Sequence, residues 1–213
     1  MSGEARTRIV ISPYPRRLQL ASADNNDGPP TSDSFIGELE SVDRAVYRAV
    51  ASTPTPRLDV IMRRVSEAAN YSRISIAESA VLAVIGGSRG RRAAGAGLAS
   101  IAVTSAVVNL IAKPLGHRER PDREDADVPD ARRVKMPGSR SFPSGHAASA
   151  FAFASAAGSE LPAASIPLHA IAALVAYSRV HTGVHYPIDV IVGGVIGSAV
   201  ADVVGPAVSH RLG

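Results

Sequence analysis

The sequence predicts an all-α protein, an integral membrane bundle of about five helical spans preceded by amphipathic helices at the interface. Three observations carry that expectation. Apolar stretches recur at about residues 74–87, 93–112, 147–158, 162–177 and 188–208, and the second, AAGAGLASIAVTSAVVNLIA, is long and clean enough to cross a bilayer outright. Hydrophobic residues make up 46% of the chain while aromatics are only 4%, so disorder does not fit the whole. Small residues crowd the apolar stretches, including Gly193 and Gly197 at GxxxG spacing and Gly95, Ala96 and Gly97, as close helix packing in lipid requires.

Residues 1–34 have the Pro, Gly, Asn, Asp and Ser content of a flexible tail, and their first part lacks the continuous apolar core of a secretory signal peptide, so it reads as retained. From Phe35 the pattern changes. Phe35, Ile36, Leu39, Val42, Val46 and Val50 recur at helical spacing, with Glu38, Glu40, Asp43, Arg44 and Arg48 between them. Leu58, Ile61, Met62 and Val65 mark a second amphipathic helix. Residues 35–70 therefore fit either a membrane interface or the surface of a soluble core, and 71–213 form the membrane-embedded domain. If the first amphipathic helix crosses, the spans number six. Glu78 and Asp202 interrupt two of the apolar stretches, in packing or boundary positions. The charged, Pro-bearing segment HRERPDREDADVPDARRVKMPGSRS cannot lie in a span and belongs at the membrane surface.

A net charge of +4 suits nucleic acid, an anionic surface or a phosphorylated substrate. Nucleic acid is disfavoured, because 5 Tyr and 4 Phe, with no Trp, are too few and too scattered for stacking. With no Cys there is neither a disulfide framework nor a thiolate metal site. A homo-oligomer is compatible with the sequence.

Three clusters at the ends of the apolar stretches carry the chemistry. KPLGHRERP supplies Lys113 and Arg120, SFPSGHAASA supplies Ser144, Gly145 and His146, and SRVHTGVHYPID supplies Arg179, His185 and Asp189. Taken singly, each has a bland reading: Ser-Gly-His is an ordinary helix start, a Lys or Arg at a span end is a snorkelling anchor, and His four residues before Asp is a local hydrogen bond. Together they suit phosphoryl transfer. Three cations neutralise phosphate oxygens, the Ser144 hydroxyl and Gly145 amide open a helix toward an anion, and two histidines divide nucleophile from acid. His185 has the better claim to attack, with Asp189 orienting its ring, which leaves His146 as the general acid. His117 and His181 lie within the clusters and read as surface or supporting groups.

The arrangement closely resembles the type 2 phosphatidic acid phosphatases, which share their site with glucose-6-phosphatase and the vanadium haloperoxidases. The pattern is Lys, six residues, Arg-Pro; Pro-Ser-Gly-His; Ser-Arg, five residues, His, three residues, Asp. Lys113, Arg120, Pro121, Pro143, Ser144, Gly145, His146, Ser178, Arg179, His185 and Asp189 match every fixed position. The resemblance implies a phosphohistidine on His185, a leaving group protonated by His146, phosphate held by Lys113, Arg120, Ser144, Gly145 and Arg179, and no cofactor or metal.

Between His146 and Ser178 lie 31 residues. Two helices of about 15 residues reach only about 22 Å each, short of a hydrocarbon core of about 30 Å, so the site is expected at or below the headgroup level. That suits a phosphate carried on a membrane lipid. A polyprenyl phosphate, a pyrophosphate or a polyprenyl-linked sugar phosphate such as decaprenylphosphoryl phosphoribose leads, with phosphatidic acid and other glycerolipids behind. A vanadate-dependent peroxidase and a non-enzymatic lipid-binding protein are the remote rivals. The expected location is the cell membrane. Lys and Arg crowd the side holding the clusters, which by the positive-inside rule faces the cytoplasm, whereas the resemblance implies an outward site.

Overall fold

The computed structural model describes residues 32–212. Helix α1 (Ser32–Ser52) leads into α2 (Pro56–Ala68), a 3₁₀ turn (Asn70–Ser72), α3 (Arg73–Ile85) and α4 (Gly87–Val107). A π-helical turn, Val108–Ala112, carries α4 into the single turn α5 (Lys113–Leu115). The segment 116–144 then crosses one end of the bundle, holding a 3₁₀ turn at Asp130–Arg132. Three helices close the chain: α6 (Gly145–Glu160), α7 (Pro162–His181) and α8 (Pro187–Leu212). Among the described residues there is no strand.

The five expected apolar stretches coincide with α3, α4, α6, α7 and α8. Three helical runs are long and apolar enough to cross a membrane: Gly87–Leu115, Pro162–His181 and Pro187–His210. With 13 residues in α3 and 16 in α6, those two reach only about 20 and 24 Å.

Helix α6 is central, packing against α4, α7 and α8. Ala150, Phe153, Ala154 and Ala157 of α6 meet Ala93 and Ile101 of α4 and Leu168, Ala172 and Val175 of α7. Glycines set how closely these helices approach. A Cβ on Gly97 would stand 2.5 Å from the Phe153 ring, and one on Gly193 would stand 2.5 Å from the Ser144 carbonyl oxygen. Gly197 lies still more tightly against the Ala148 carbonyl, so the GxxxG pair seats α8 on the N-terminal turns of α6.

The N-terminal region is described only in part. Residues 1–31 of the expected tail lie outside the described residues, and α1 already starts at Ser32. Helix α1 packs through the face beside its apolar stripe, about a quarter turn round the helix, with Val50 at the margin. Asp43, Tyr47 and Ala51 are buried, whereas Phe35, Ile36, Leu39, Val42 and Val46 are exposed. A buried Asp needs a partner to offset its lost hydration, and that partner lies far along the chain. Glu78 is half-buried on α3 and Asp202 is exposed on α8.

Candidate active site

All eight expected site residues gather at one end of the bundle, where α5, α6, α7 and α8 begin or end. The segment 116–144 folds back on itself there, Ser141 N–H bonding the Arg118 carbonyl at 3.1 Å. This brings Arg118, Arg120, Ser139 and Ser141 around the junction between α7 and α8. Gly183 turns that junction with φ +70, a backbone conformation that suits glycine.

His185 sits at the junction with only 2% of its surface exposed. Its Nε2 lies 3.2 Å from Arg120 Nη1. A guanidinium can only donate, so Nε2 must be the accepting nitrogen and Nδ1 carries the proton. Nδ1 faces Ser141 Oγ at 3.4 Å and Asp189 Oδ2 at 3.5 Å. Ser141 in turn donates a short hydrogen bond to Asp189 Oδ2. The carboxylate also accepts from the Tyr186 amide at 2.9 Å and from Arg118 Nη1 at 3.1 Å. Burial pushes the imidazole down to about 4; Asp189 pulls the other way, and Arg120 adds to the fall. At neutral pH the ring is therefore uncharged, its lone pair on Nε2.

The cations converge from three elements. Lys113, turned by the π-helical bulge before it, reaches Ser139 Oγ at 3.0 Å. Arg120 is held by the carbonyls of Ser139 at 2.8 Å and Val184 at 2.6 Å, and burial lowers its pKa. Arg179, 1% exposed, is anchored from α2, its Nη1 donating to Ser66 Oγ at 2.6 Å and to the Ser66 carbonyl at 3.1 Å. Ser144 caps α6, its amide donating to the Asp189 carbonyl at 2.9 Å, while its hydroxyl accepts from Ala147 N–H only at 3.5 Å. The first amides of α6, beginning at Gly145, thus open toward the same region.

His146 follows on the first turn of α6, its Nε2 3.1 Å from Asn70 Oδ1. As the amide oxygen accepts, Nε2 carries the proton and Nδ1 is left unprotonated. Asn70 is followed by two residues in left-handed conformation, Tyr71 (φ 57) and Ser72 (φ 55), a strained turn of the kind found at working sites. Beside His146 and Lys113 opens a cavity of about 300 Å³, lined in part by Ser72, Ser105, Asn109 and Ser149.

The remaining cluster histidines lie apart from this geometry. His117 is exposed, with Nδ1 3.0 Å from the Leu115 carbonyl. His181 is buried and donates to Asp59 Oδ1 at 2.9 Å, and Arg132 approaches the same oxygen at 2.7 Å. Burial alone would raise the Asp59 carboxyl, but Thr55, His181 and Arg132 together hold it below the usual range. Among the described residues no group of three or more His, Cys, Asp or Glu could hold a metal ion.

Sequence reasoning missed Arg118, Ser139, Ser141, Asn70, Ser66 and Asp43. Arg118 had a faint signal, two residues before Arg120 in a cluster already marked. Ser141 opens the SFPSGHAASA stretch but is an ordinary polar residue there, and the others lie outside the clusters, brought in by the folding of segment 116–144 and the N-terminal helices.

Comparison with known proteins agrees with this architecture. Decaprenylphosphoryl-5-phosphoribose phosphatase from two Mycobacterium tuberculosis strains is 37% identical over 115 residues, covering 52% of this chain and 57% of the relative. The match thus spans just over half the length of those relatives. The crystal structure of a transmembrane PAP2-type phosphatidylglycerolphosphate phosphatase from Bacillus subtilis superposes with a TM-score of 0.61 at 22% identity, over 80% of this chain and 86% of that one. Aquifex aeolicus LpxE superposes with a TM-score of 0.57, also at 22% identity, over 80% and 95%. The model of the PAP2 superfamily matches residues 94–210, more than half of the sequence and every one of the three clusters, and the chain belongs to that family.

Proposed function

We propose that this chain is a multi-pass membrane phosphatase acting on a phosphate monoester of a polyprenyl-linked lipid, foremost a polyprenyl-phosphoryl sugar phosphate. The observation that carries the reading is His185: a neutral imidazole with its lone pair on Nε2, its other nitrogen fixed beside Ser141 and Asp189, and Lys113, Arg120 and Arg179 gathered around it.

Phosphate oxygens are bound by those three cations together with the amides at the start of α6. His185 Nε2 attacks phosphorus as the bond to the leaving oxygen breaks, and positive charge developing on the ring is balanced by Asp189. A phosphate dianion beside His146 favours its protonated form, and the imidazolium gives its proton to the leaving alcohol. Neutral His146 then takes a proton from water, which attacks the phosphohistidine, releases phosphate and restores His185.

Two features support the substrate class. The cavity beside His146, where the leaving alcohol must emerge, presents Ser72, Ser105, Asn109 and Ser149 together with the Lys113 ammonium and apolar walls such as Ile74 and Val108, which suits a hydroxylated group on an apolar tail better than a choline-like cation. Leu110, Ile111 and Leu115 are exposed on the adjoining turns, an apolar approach for a lipid tail. The name of the Mycobacterium tuberculosis relatives points the same way. The outward apolar stripe of α1 supports a seat for α1 and α2 at the membrane interface.

The test is phosphate release by the purified full chain in detergent micelles, comparing a polyprenyl-phosphoryl pentose phosphate, a polyprenyl phosphate and phosphatidic acid, with His185→Ala as blank. The expected order places the sugar phosphate first in kcat/KM. Preference for phosphatidic acid would move the assignment to glycerolipids, and no release above the blank from any of the three would defeat it.

A further inference from the structure

Helix α1 lies outside residues 94–210, the part of the chain that matches the family. Yet a buried carboxylate of α1 is wired to the Asp189 carboxylate. Asp43, 6% exposed, pairs with Arg118 Nη2 at 2.5 Å, and the other guanidinium nitrogen, Nη1, donates to Asp189 Oδ1 at 3.1 Å. Asp43 Oδ1 also accepts the Ile188 amide at 2.8 Å, capping the first turn of α8 one residue before Asp189. The guanidinium lies over the Tyr186 ring, 4.0 Å from its centroid, and Tyr47 of α1 meets the same ring edge-on at 5.2 Å. Arg118 is thus fixed on both ends and one face.

We propose that Asp43 is a positioning residue for the nucleophile, acting through Arg118 and Asp189 on His185, so that α1 is a working part of the active site. The inference rests on the phosphohistidine reading above. Its logic is one of geometry and of charge. By holding Asp189 Oδ1, Arg118 leaves Oδ2 to face Ser141 and the Nδ1 side of His185, which sets the ring plane and keeps Nε2 as the nucleophilic nitrogen. Arg118 alone would cancel the charge of Asp189. With Asp43 on its far side, the trio keeps one net negative charge, facing a ring that becomes positive as it takes the phosphoryl group.

Asp43→Asn separates this role from a structural one. The Asn oxygen still accepts the Ile188 amide, so the cap on α8 survives, while the charge opposite Arg118 is lost. Rapid quench into alkaline SDS, which preserves an acid-labile phosphohistidine, reads phosphoenzyme formation directly in the full chain with ³²P-labelled substrate. Phosphoenzyme formation and kcat are expected to fall about tenfold, the scale of a lost outer-shell partner, with KM within about twofold because Lys113, Arg120 and Arg179 are untouched. Arg118→Met should behave likewise, and Arg118→Lys should recover part of the loss. An unchanged rate of phosphoenzyme formation in Asp43→Asn would overturn the proposal. So would a rise in KM and a fall in melting temperature that account for the loss of turnover. Failure of the wild-type protein to form any acid-labile phosphoenzyme would instead strike the phosphohistidine reading itself.

Discussion

Replacing Gly193 by Ala is a small change with a calculable reach into the site. The added methyl would stand 2.5 Å from the Ser144 carbonyl oxygen, against an ordinary contact of 3.4 Å or more, so α6 and α8 must separate by about 0.9 Å locally. The same two backbones are joined by the hydrogen bond from Ser144 N–H to the Asp189 carbonyl at 2.9 Å. Separation therefore moves the anion-binding start of α6 away from the turn that carries His185 and Asp189. A displacement near 1 Å in a reacting constellation costs on the order of 100-fold in rate. Steady-state phosphate release and a detergent-phase melting curve would be measured together, with Gly205→Ala as control, since a methyl there lies at an ordinary 3.5 Å from Ala156. The expected result is kcat down by about two orders of magnitude in Gly193→Ala and near wild type in the control. Wild-type kcat in a folded Gly193→Ala protein would refute the claim that this glycine sets the spacing of the site.

Three further outcomes follow from the same geometry. Asp59→Ala leaves the fully buried Arg132 without its carboxylate and should cost about 3–5 kcal/mol, visible as a lowered melting temperature; an unchanged melt would show that the cluster contributes nothing net. The folded pKa of His185, about 4, lies below the ordinary imidazole value of 6.5, so stability is full above about pH 6.5 and lost as pH falls toward 4. Wild type should lose up to about 3 kcal/mol more than His185→Gln over that window; equal losses in urea titrations at pH 7 and pH 4.5 would contradict it. Chelator should leave phosphate release intact while orthovanadate inhibits, and activity lost to chelator but restored by Mg²⁺ would sink a metal-free mechanism.

The clusters of the candidate site were legible because helix ends encode them locally. His185 and Asp189 stand four residues apart, Ser144 to His146 are consecutive, and Lys113 to Arg120 span one short turn and its exit. The groups that hold them come from afar in the chain. Ser141 reaches Asp189 across 48 positions, Asn70 reaches His146 across 76, and Asp43 reaches the start of α8 across 145. No local period or propensity signals such a pairing. Helix α1 shows the same limit from the other side. Its amphipathic pattern was plain, but periodicity alone left open whether the apolar stripe faces a soluble core or a membrane. Tertiary ion pairing of Asp43 with Arg118 turns the neighbouring face inward and leaves most of the stripe exposed.

Arg120 shares one nitrogen, Nη1, between the Val184 carbonyl and His185 Nε2. The lone pair that would form the bond to phosphorus is therefore already occupied, by one of the groups that attracts phosphate. Before Nε2 can react, the guanidinium must let go of it, and an arriving phosphate offers the exchange by presenting oxygens of higher negative charge. On the proposed mechanism the nucleophile is in this sense sheathed, and drawn by its own target: recognition of the anion and exposure of Nε2 would be a single event, sparing an idle imidazole from other electrophiles.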